Sequence, residues 1–290
     1  MGTSSLYKGP KKTPLLPSDY NPNDNIDKED STEDEQNSGA SNEDDTNEES
    51  KLDNQTGEES HKKEGEQPIP SSGSWSKVRR SMRKAMNDRS ASNIKSAIRS
   101  YTKALGGHVN ATRQASKVRL TAGTLYSYFS GSPETIRQRL VSVGIQFDGR
   151  STKDIFNDIC GLIAPIPNDI GDTLTNKALR ETFSDIATDQ SVDLNLLDSF
   201  NEELLQRLVG GLLKHYIFDK LLLQSEQTAL KNSEKVSDLR ELEKTIKIYI
   251  DGIVDSVVPH IVKSGLNPEE FNKALETLCD ISYQQMEELQ

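Results

Sequence analysis

The sequence predicts an all-α protein in which a long, disordered acidic N-terminal arm is followed by a multi-helix domain. Apolar residues recur with helical spacing through most of residues 120–290, and Ser and Pro stand where helices typically begin. No alternating β-branched runs with hairpin turns are present. Only 33% of the 290 residues are hydrophobic, so part of the chain is expected to lie outside any packed core.

Residues 1–17 differ in composition from the rest of the N-terminal arm and are predicted to be a recognition or modification peptide. Gly9-Pro10 interrupts the segment, and extended or polyproline II backbone is favoured by the run Thr13-Pro14-Leu15-Leu16-Pro17. A terminal peptide of this kind is typical of a segment that another protein binds. The alternative is a frayed terminus.

The second residue of the chain is glycine. A small second residue normally allows Met1 to be removed, and the chain would then begin with the α-amine of Gly2. N-myristoylation is not expected, because its pattern requires Ser or Thr at the position of Leu6. The N-terminus also lacks the apolar region of a secretory signal.

Residues 18–74 are predicted to be a disordered acidic linker. Residues 1–76 hold 18 Asp or Glu and 7 Lys or Arg, and aliphatic residues are almost absent from the linker. Such a segment cannot bury enough apolar surface to offset the entropy lost on ordering. We expect a solubilising spacer and tether. The alternative is an acidic decoy that folds back on the basic segment beside it.

Residues 75–119 are predicted to be a basic helical segment. They hold 12 Lys or Arg and one acidic residue, Asp88. A helix here places Val78, Met82 and Met86 on one face. Its other faces carry candidate contacts for an anionic partner: Arg79, Arg80, Arg83 and Lys84.

A second basic helix is predicted over residues 92–105, ending at Gly106-Gly107. Its apolar stripe comprises Ile94, Ala97, Ile98, Tyr101 and Leu105. The basic segment suits nucleic acid, an anionic surface or an acidic partner, and the alternative is a solvated face that balances the acidic body. No zinc finger, RNP motif or base-reading helix is recognisable, so we expect at most weak phosphate binding to nucleic acid.

Residues 120–290 are predicted to form an α-helical body. Gly210-Gly211 indicates a kink or a close-packing point, and Pro259 is expected to end a helix. Ser151 is the expected N-cap of the third helix. The predicted helices are Thr121–Phe129, Pro133–Val143, Lys153–Ile163, Asp172–Ala187, Asp193–Gln224, Val236–Val258 and Pro268–Leu289.

The sequence has no GxxxxGK(S/T), GxGxxG, HExxH or CxxC pattern, and the SxxK match at Ser92–Lys95 lacks its companion motifs and is attributed to chance. We therefore expect no catalytic residue, no metal and no cofactor. Cys160 and Cys279 lie far apart and are expected to be buried thiols of a cytoplasmic protein. His215 and His260 lie in apolar helical patterns and are expected to be core or rim residues. No apolar stretch approaches the roughly 18 residues that a membrane span requires, so no membrane association is expected.

The N-terminal sequence resembles that of a known family. Its elements Met1-Gly2-Thr3-Ser4, Gly9-Pro10 and Thr13-Pro14-Leu15-Leu16-Pro17 are similar to the start of the QatB family, a component of the Qat bacterial anti-phage defence system. Qat systems combine such a protein with an ATPase, a QueC-like enzyme (the QatC type) and a TatD-like nuclease.

This resemblance implies a role as a protein substrate rather than as a catalyst. The QueC-like partner would use ATP to join a 7-deazaguanine group to the α-amine of Gly2 after loss of Met1. The resemblance also implies that this enzyme recognises residues close to the modified glycine, namely Thr3, Ser4, Gly9, Pro10, Thr13, Pro14 and Leu15.

The sequence therefore supports two functions of different classes. The first is a non-catalytic defence protein whose Gly2 is modified and whose helical body docks the modifying enzyme or the ATPase. The second is a nucleic-acid-associated adaptor that binds phosphates through residues 77–119.

Overall fold

The computed structural model describes residues 72–189, 191–229 and 236–290. Within these residues the chain forms ten α-helices and one 3-10 turn, without a β-strand, and the all-α prediction is confirmed. The predicted N-terminal peptide, residues 1–17, lies outside the described residues. So does the predicted disordered acidic linker, except for its last three residues, which belong to the first helix.

The helices are numbered in chain order. They are α1 (Ser72–Asn87), α2 (Ala91–Ala104), α3 (Gly107–Gln114), α4 (Ser116–Phe129), α5 (Pro133–Ser142), α6 (Thr152–Ile163), α7 (Ile170–Thr188), α8 (Glu202–Ala229), α9 (Val236–Ile261) and α10 (Pro268–Glu288). The 3-10 turn, Leu197–Ser199, lies between α7 and α8.

Local capping chemistry sets several helix starts. The hydroxyl groups of Ser132 and Ser151 each accept a hydrogen bond from the backbone N–H three residues later, and Pro133 follows the first of these caps. Asn267 and Glu270 form a reciprocal capping box at the start of α10. The helix starts predicted from serine and proline are therefore confirmed.

Helices α8 and α10 lie at the centre of the packing. α8 contacts α1, α4, α7 and α9, and α10 contacts α2, α3, α4 and α9. One face of α8 is buried along Leu204, Leu208, Leu212 and Tyr216. Burial of each large apolar side chain contributes roughly 1.5–3 kcal/mol.

The basic helices share this core. α1 packs against α2, α8 and α9, while α3 packs against α10. Val78 and Met82 are buried and Met86 is half-buried, which confirms the predicted apolar face of α1. The predicted apolar stripe of α2 is also buried: Ile94, Ala97, Ile98, Tyr101 and Leu105.

Two helices near residue 110 were not placed correctly by the sequence. The chain turns at Gly106 and Gly107, which have φ of 94° and 80°, and continues as the unpredicted helix α3. The Glu287 carboxylate of α10 accepts a hydrogen bond from the His108 backbone N–H at 3.0 Å, a partner that local sequence does not reveal. α4 begins at Ser116, five residues before its predicted start.

The predicted helix Asp193–Gln224 is wrong over its first nine residues. The Asp193 side chain accepts a hydrogen bond from the Asn195 backbone N–H at 3.0 Å, which favours a turn. Leu197 is exposed rather than part of the buried face. Asn201 then accepts a hydrogen bond from the Leu204 backbone N–H at 2.9 Å, and α8 begins.

The predicted end of the next helix before Pro259 is also wrong, because α9 continues to Ile261. Pro259 is exposed and stands in the last turn, where the loss of one backbone hydrogen bond is tolerated near the helix end. α8 continues through Gly210 and Gly211, and both glycines lie against neighbouring helices. The close-packing interpretation is therefore correct.

None of the helices in the described part of the chain has an apolar stretch long enough to cross a membrane.

Candidate functional site

The residues predicted around the modification site lie outside the described part of the chain. They are Gly2, Thr3, Ser4, Gly9, Pro10, Thr13, Pro14 and Leu15. Their roles remain predictions. The described chain offers two other candidate surfaces, a row of cations on α1 and a groove between α7, α8 and α9.

The first surface, called here the cationic face, consists of five exposed side chains on α1: Lys77, Arg79, Arg80, Arg83 and Lys84. α1 contains no acidic residue. Arg79 donates a hydrogen bond to the Ser76 hydroxyl at 3.2 Å. Within the described residues, none of the five cations forms an ion pair with a carboxylate.

The opposite side of α1 packs into the core. Val78 and Met82 are 2% and 1% exposed. Trp75 packs edge-on against Tyr101 of α2, with 6.3 Å between the ring centroids. The helix therefore presents cations to solvent while its apolar residues hold it to the rest of the fold.

Several cations elsewhere in the described chain are paired. Lys117 lies 3.0 Å from the buried carboxylate of Asp172, and Arg207 lies 2.7 Å from Asp189. Ion pairs also join Arg119–Glu276, Arg137–Asp148, Arg150–Asp158, Lys177–Asp219, Lys214–Asp255 and Lys263–Glu202. The five cations of the cationic face have no such partner within the described residues, and neither do some exposed body cations such as Lys153 and Lys273.

The second surface, called here the interhelical groove, encloses a cavity of about 370 Å³. Gly210 and Gly211 of α8 are among the residues that line it. Charged side chains from three helices line it: Asp185, Glu203, Arg207, Lys214, His215, Lys247, Asp251 and Asp255. Because both acidic and basic groups line it, the groove does not favour a ligand of one charge.

His215 closes one side of the groove. Its Nε2 lies 2.9 Å from Asp185 Oδ2, and its Nδ1 lies 3.1 Å from Glu181 Oε2. The histidine therefore links two carboxylates of α7 to α8. This agrees with its prediction as a core or rim residue.

The other side of the groove is lined by α9. Asp255 pairs with Lys214 at 2.9 Å. Asp251 is half-buried, and this burial raises the pKa of its carboxyl group, with nearby Lys214 and Lys247 acting in the opposite direction. Sequence spacing did not reveal this groove, because its side chains come from helices about 30–70 residues apart.

The buried thiols are poor candidates for chemistry. Cys160 and Cys279 are both free and buried, as predicted. Burial raises the pKa of Cys160 and raises that of Cys279 to about 12, which disfavours the reactive thiolate. No group of His, Cys, Asp and Glu suited to holding a metal ion occurs in the residues that the structure describes.

Comparison with known proteins identifies the family. The family model described as "QatB: Qat anti-phage system associated protein QatB" matches residues 106–286, more than half of the chain. No curated protein and no solved structure matches the chain significantly. The matched range begins between α2 and α3 and runs through most of α10, so it contains the interhelical groove but not the cationic face. The chain therefore belongs to the QatB family, whose members are associated with the Qat anti-phage system.

Proposed function

We propose that this protein is a substrate of the QueC-like enzyme of its Qat system, which attaches a 7-deazaguanine group to the α-amine of Gly2. One observation carries the proposal. A chain whose body belongs to the QatB family begins with Met1-Gly2-Thr3-Ser4, which resembles the start of that family. In this proposal the protein supplies the nucleophile, and the partner enzyme supplies catalysis and ATP.

The chemistry of an N-terminal glycine suits this reaction. An α-amine has a reference pKa of about 8, against about 10.4 for lysine, so much more of it is unprotonated at neutral pH. Glycine has no Cβ, so its amine can approach an activated carbonyl in a narrow channel. The lone pair of the amine attacks the ATP-activated carboxyl carbon, the activating group leaves, and the amine releases a proton. The product is a stable amide.

The acidic linker, residues 18–74, would serve as the tether that delivers Gly2. A flexible chain of about 50 residues has an end-to-end distance of roughly 40 Å. This distance would let the N-terminus reach the active site of an enzyme that is docked elsewhere. Recognition would then rest on Thr3, Ser4, Gly9, Pro10, Thr13, Pro14 and Leu15.

We further propose that the helical body docks the QueC-like enzyme, with the system's ATPase and TatD-like nuclease as additional partners. The family match supports partners within the Qat system, because it identifies the chain as a member of the QatB family. The proposed reaction belongs in the cytoplasm, where ATP is present and where the free thiols of Cys160 and Cys279 would stay reduced.

Phage protection by the complete Qat system tests the proposal. A short extension placed ahead of Gly2 removes the glycine α-amine and should abolish protection. As a matched control, the triple variant K8R/K11R/K12R removes nearby lysine amines but keeps the charge, and should protect fully. Full protection by the extended protein would refute the proposal. Loss of protection in the lysine variant would indicate that a lysine side-chain amine is the modified group instead.

A further inference from the structure

We propose that the cationic face of α1 binds the phosphate backbone of nucleic acid without reading base sequence. This inference is independent of the modification of Gly2. It concerns Lys77, Arg79, Arg80, Arg83 and Lys84, all of which lie before the part of the chain that defines the family match.

The first argument is that these charges are not neutralised within the described fold. Residues 120–290 hold 27 acidic and 16 basic residues, so carboxylates are abundant on the body. Many body cations pair with one, as Lys214 does with Asp255 at 2.9 Å. The five cations of α1 pair with none of the described carboxylates, although α1 packs directly on α8 and α9.

The second argument is the spacing of the cations. From Lys77 to Lys84 the helix rises by about 10 Å, and residues three or four apart stand on the same side. The phosphates of one DNA strand are separated by about 3.4 Å along the duplex axis. The cationic face can therefore follow about three phosphates of a strand. Its three guanidinium groups match phosphate oxygens with two parallel hydrogen bonds each.

The third argument favours nucleic acid over a membrane as the partner of the cationic face. A helix that lies on a bilayer inserts an apolar face between the lipid headgroups. The apolar residues of α1 cannot do this, because Val78 and Met82 are buried and Trp75 packs against Tyr101. A folded protein partner fits less well too, since protein interfaces usually centre on apolar or aromatic anchors and the exposed face of α1 has none.

The residue composition of the cationic face also limits how it can recognise nucleic acid. The cationic face holds only Lys and Arg, and its neighbouring aromatic residue, Trp75, is engaged in the fold. Stacking on single-stranded bases needs an exposed aromatic ring. Binding should therefore depend on phosphates alone and be strongly sensitive to salt. With about three neutralised phosphates, the affinity should fall roughly 40-fold between about 50 and about 200 mM salt.

Fluorescence anisotropy with a labelled random-sequence duplex of about 30 base pairs tests the proposal on the full chain. The variant R79Q/R80Q/R83Q/K84Q should lose at least about tenfold in affinity at low salt. The matched control K153Q/R180Q/K244Q/K273Q removes four exposed charges from the body. Its affinity for the duplex should stay within about twofold of that of the parent protein. Circular dichroism confirms that both variants remain helical.

Other outcomes overturn the proposal. Equal losses in the two variants would mean that net charge rather than this face sets binding. A strong preference between two unrelated duplexes would contradict backbone recognition. Absence of binding by the parent protein at low salt would assign the face to another anion, such as the acidic arm of the chain. Binding only to phosphatidylserine vesicles would assign it to a membrane.

Discussion

Thr182 of α7 lies directly against Gly211 of α8, so closely that a Cβ at residue 211 would stand 2.7 Å from Thr182 Cγ2. The Thr182 side chain is buried, and its hydroxyl donates to the Ala178 carbonyl at 2.7 Å, which restricts its movement. This contact joins α7 and α8 within the lining of the interhelical groove. The groove therefore depends on a residue without a side chain.

Gly211→Ala should destabilise the protein by about 1–3 kcal/mol, because the added methyl group overlaps the fixed Thr182 side chain. Gly252→Ala is the matched control, since nothing lies within 4 Å of a Cβ added at that helical position. The free energy of unfolding of this control should be unchanged or higher by up to about 1 kcal/mol. Urea unfolding measures both changes, and equal stability of the two variants would contradict the close contact.

Two tyrosines, Tyr126 and Tyr283, differ in the hydrogen bonding of their hydroxyl groups. The Tyr126 hydroxyl donates to backbone carbonyls at Ser264 and Leu266, whereas the buried Tyr283 hydroxyl has no hydrogen-bond partner among the described residues. Tyr126→Phe should therefore lower the free energy of unfolding by about 1 kcal/mol. Tyr283→Phe should be neutral or stabilising, because it removes an unsatisfied buried group. The opposite order of stabilities in urea unfolding would refute this assignment.

The pH dependence of stability should include a contribution from Asp189. Hydrogen bonds from Ser191 and then from Arg207 lower the pKa of its carboxyl group from 3.8 to about 2. Because the pKa is lower in the folded state, this contribution is present above the unfolded pKa and is lost as the pH falls toward 2. The stability difference between the parent and Asp189→Asn should therefore narrow from about pH 5 downward.

Thermal unfolding between pH 7 and pH 3 measures this difference. Asp198→Asn removes an exposed carboxylate that has no ion pair among the described residues, and it controls for the change in net charge. A gap between the parent and Asp189→Asn that stays constant or widens with acidification would contradict the role of Asp189.

The two thiols should be unreactive in the folded protein. Cys160 and Cys279 are 3% and 2% exposed, and burial raises the pKa of both. A thiol reagent should therefore label neither cysteine on a scale of minutes in native buffer, and should label both in denaturant. Rapid labelling of either residue in native buffer would show that the described core opens readily.

Local signals in the sequence predicted the parts of the fold that local chemistry determines. Ser151 and Pro268 mark helix starts, because a serine cap and a proline in the first turn act without help from other helices. The apolar faces of α1 and α2 were predictable for a similar reason, since helical spacing alone shows which residues can share a side.

The sequence failed where distant residues decide the local structure. Glu287 stabilises the start of α3 from the other end of the chain, and Arg137 donates to the Asn195 carbonyl at 2.7 Å in the segment before α8. The interhelical groove was missed for the same reason. His215 meets Asp185 only after α7 and α8 pack, so no motif spacing indicates the pair.

The modification of Gly2 is the central claim, and intact mass with N-terminal peptide mapping tests it most directly. The protein is produced alone and together with the QueC-like enzyme of its system, supplied with ATP and a 7-carboxylated deazaguanine. The account predicts loss of Met1 in both samples and an adduct on the Gly2 α-amine only in the presence of the enzyme. An unmodified Gly2 beside a demonstrably active enzyme, or an adduct on a lysine, would contradict it.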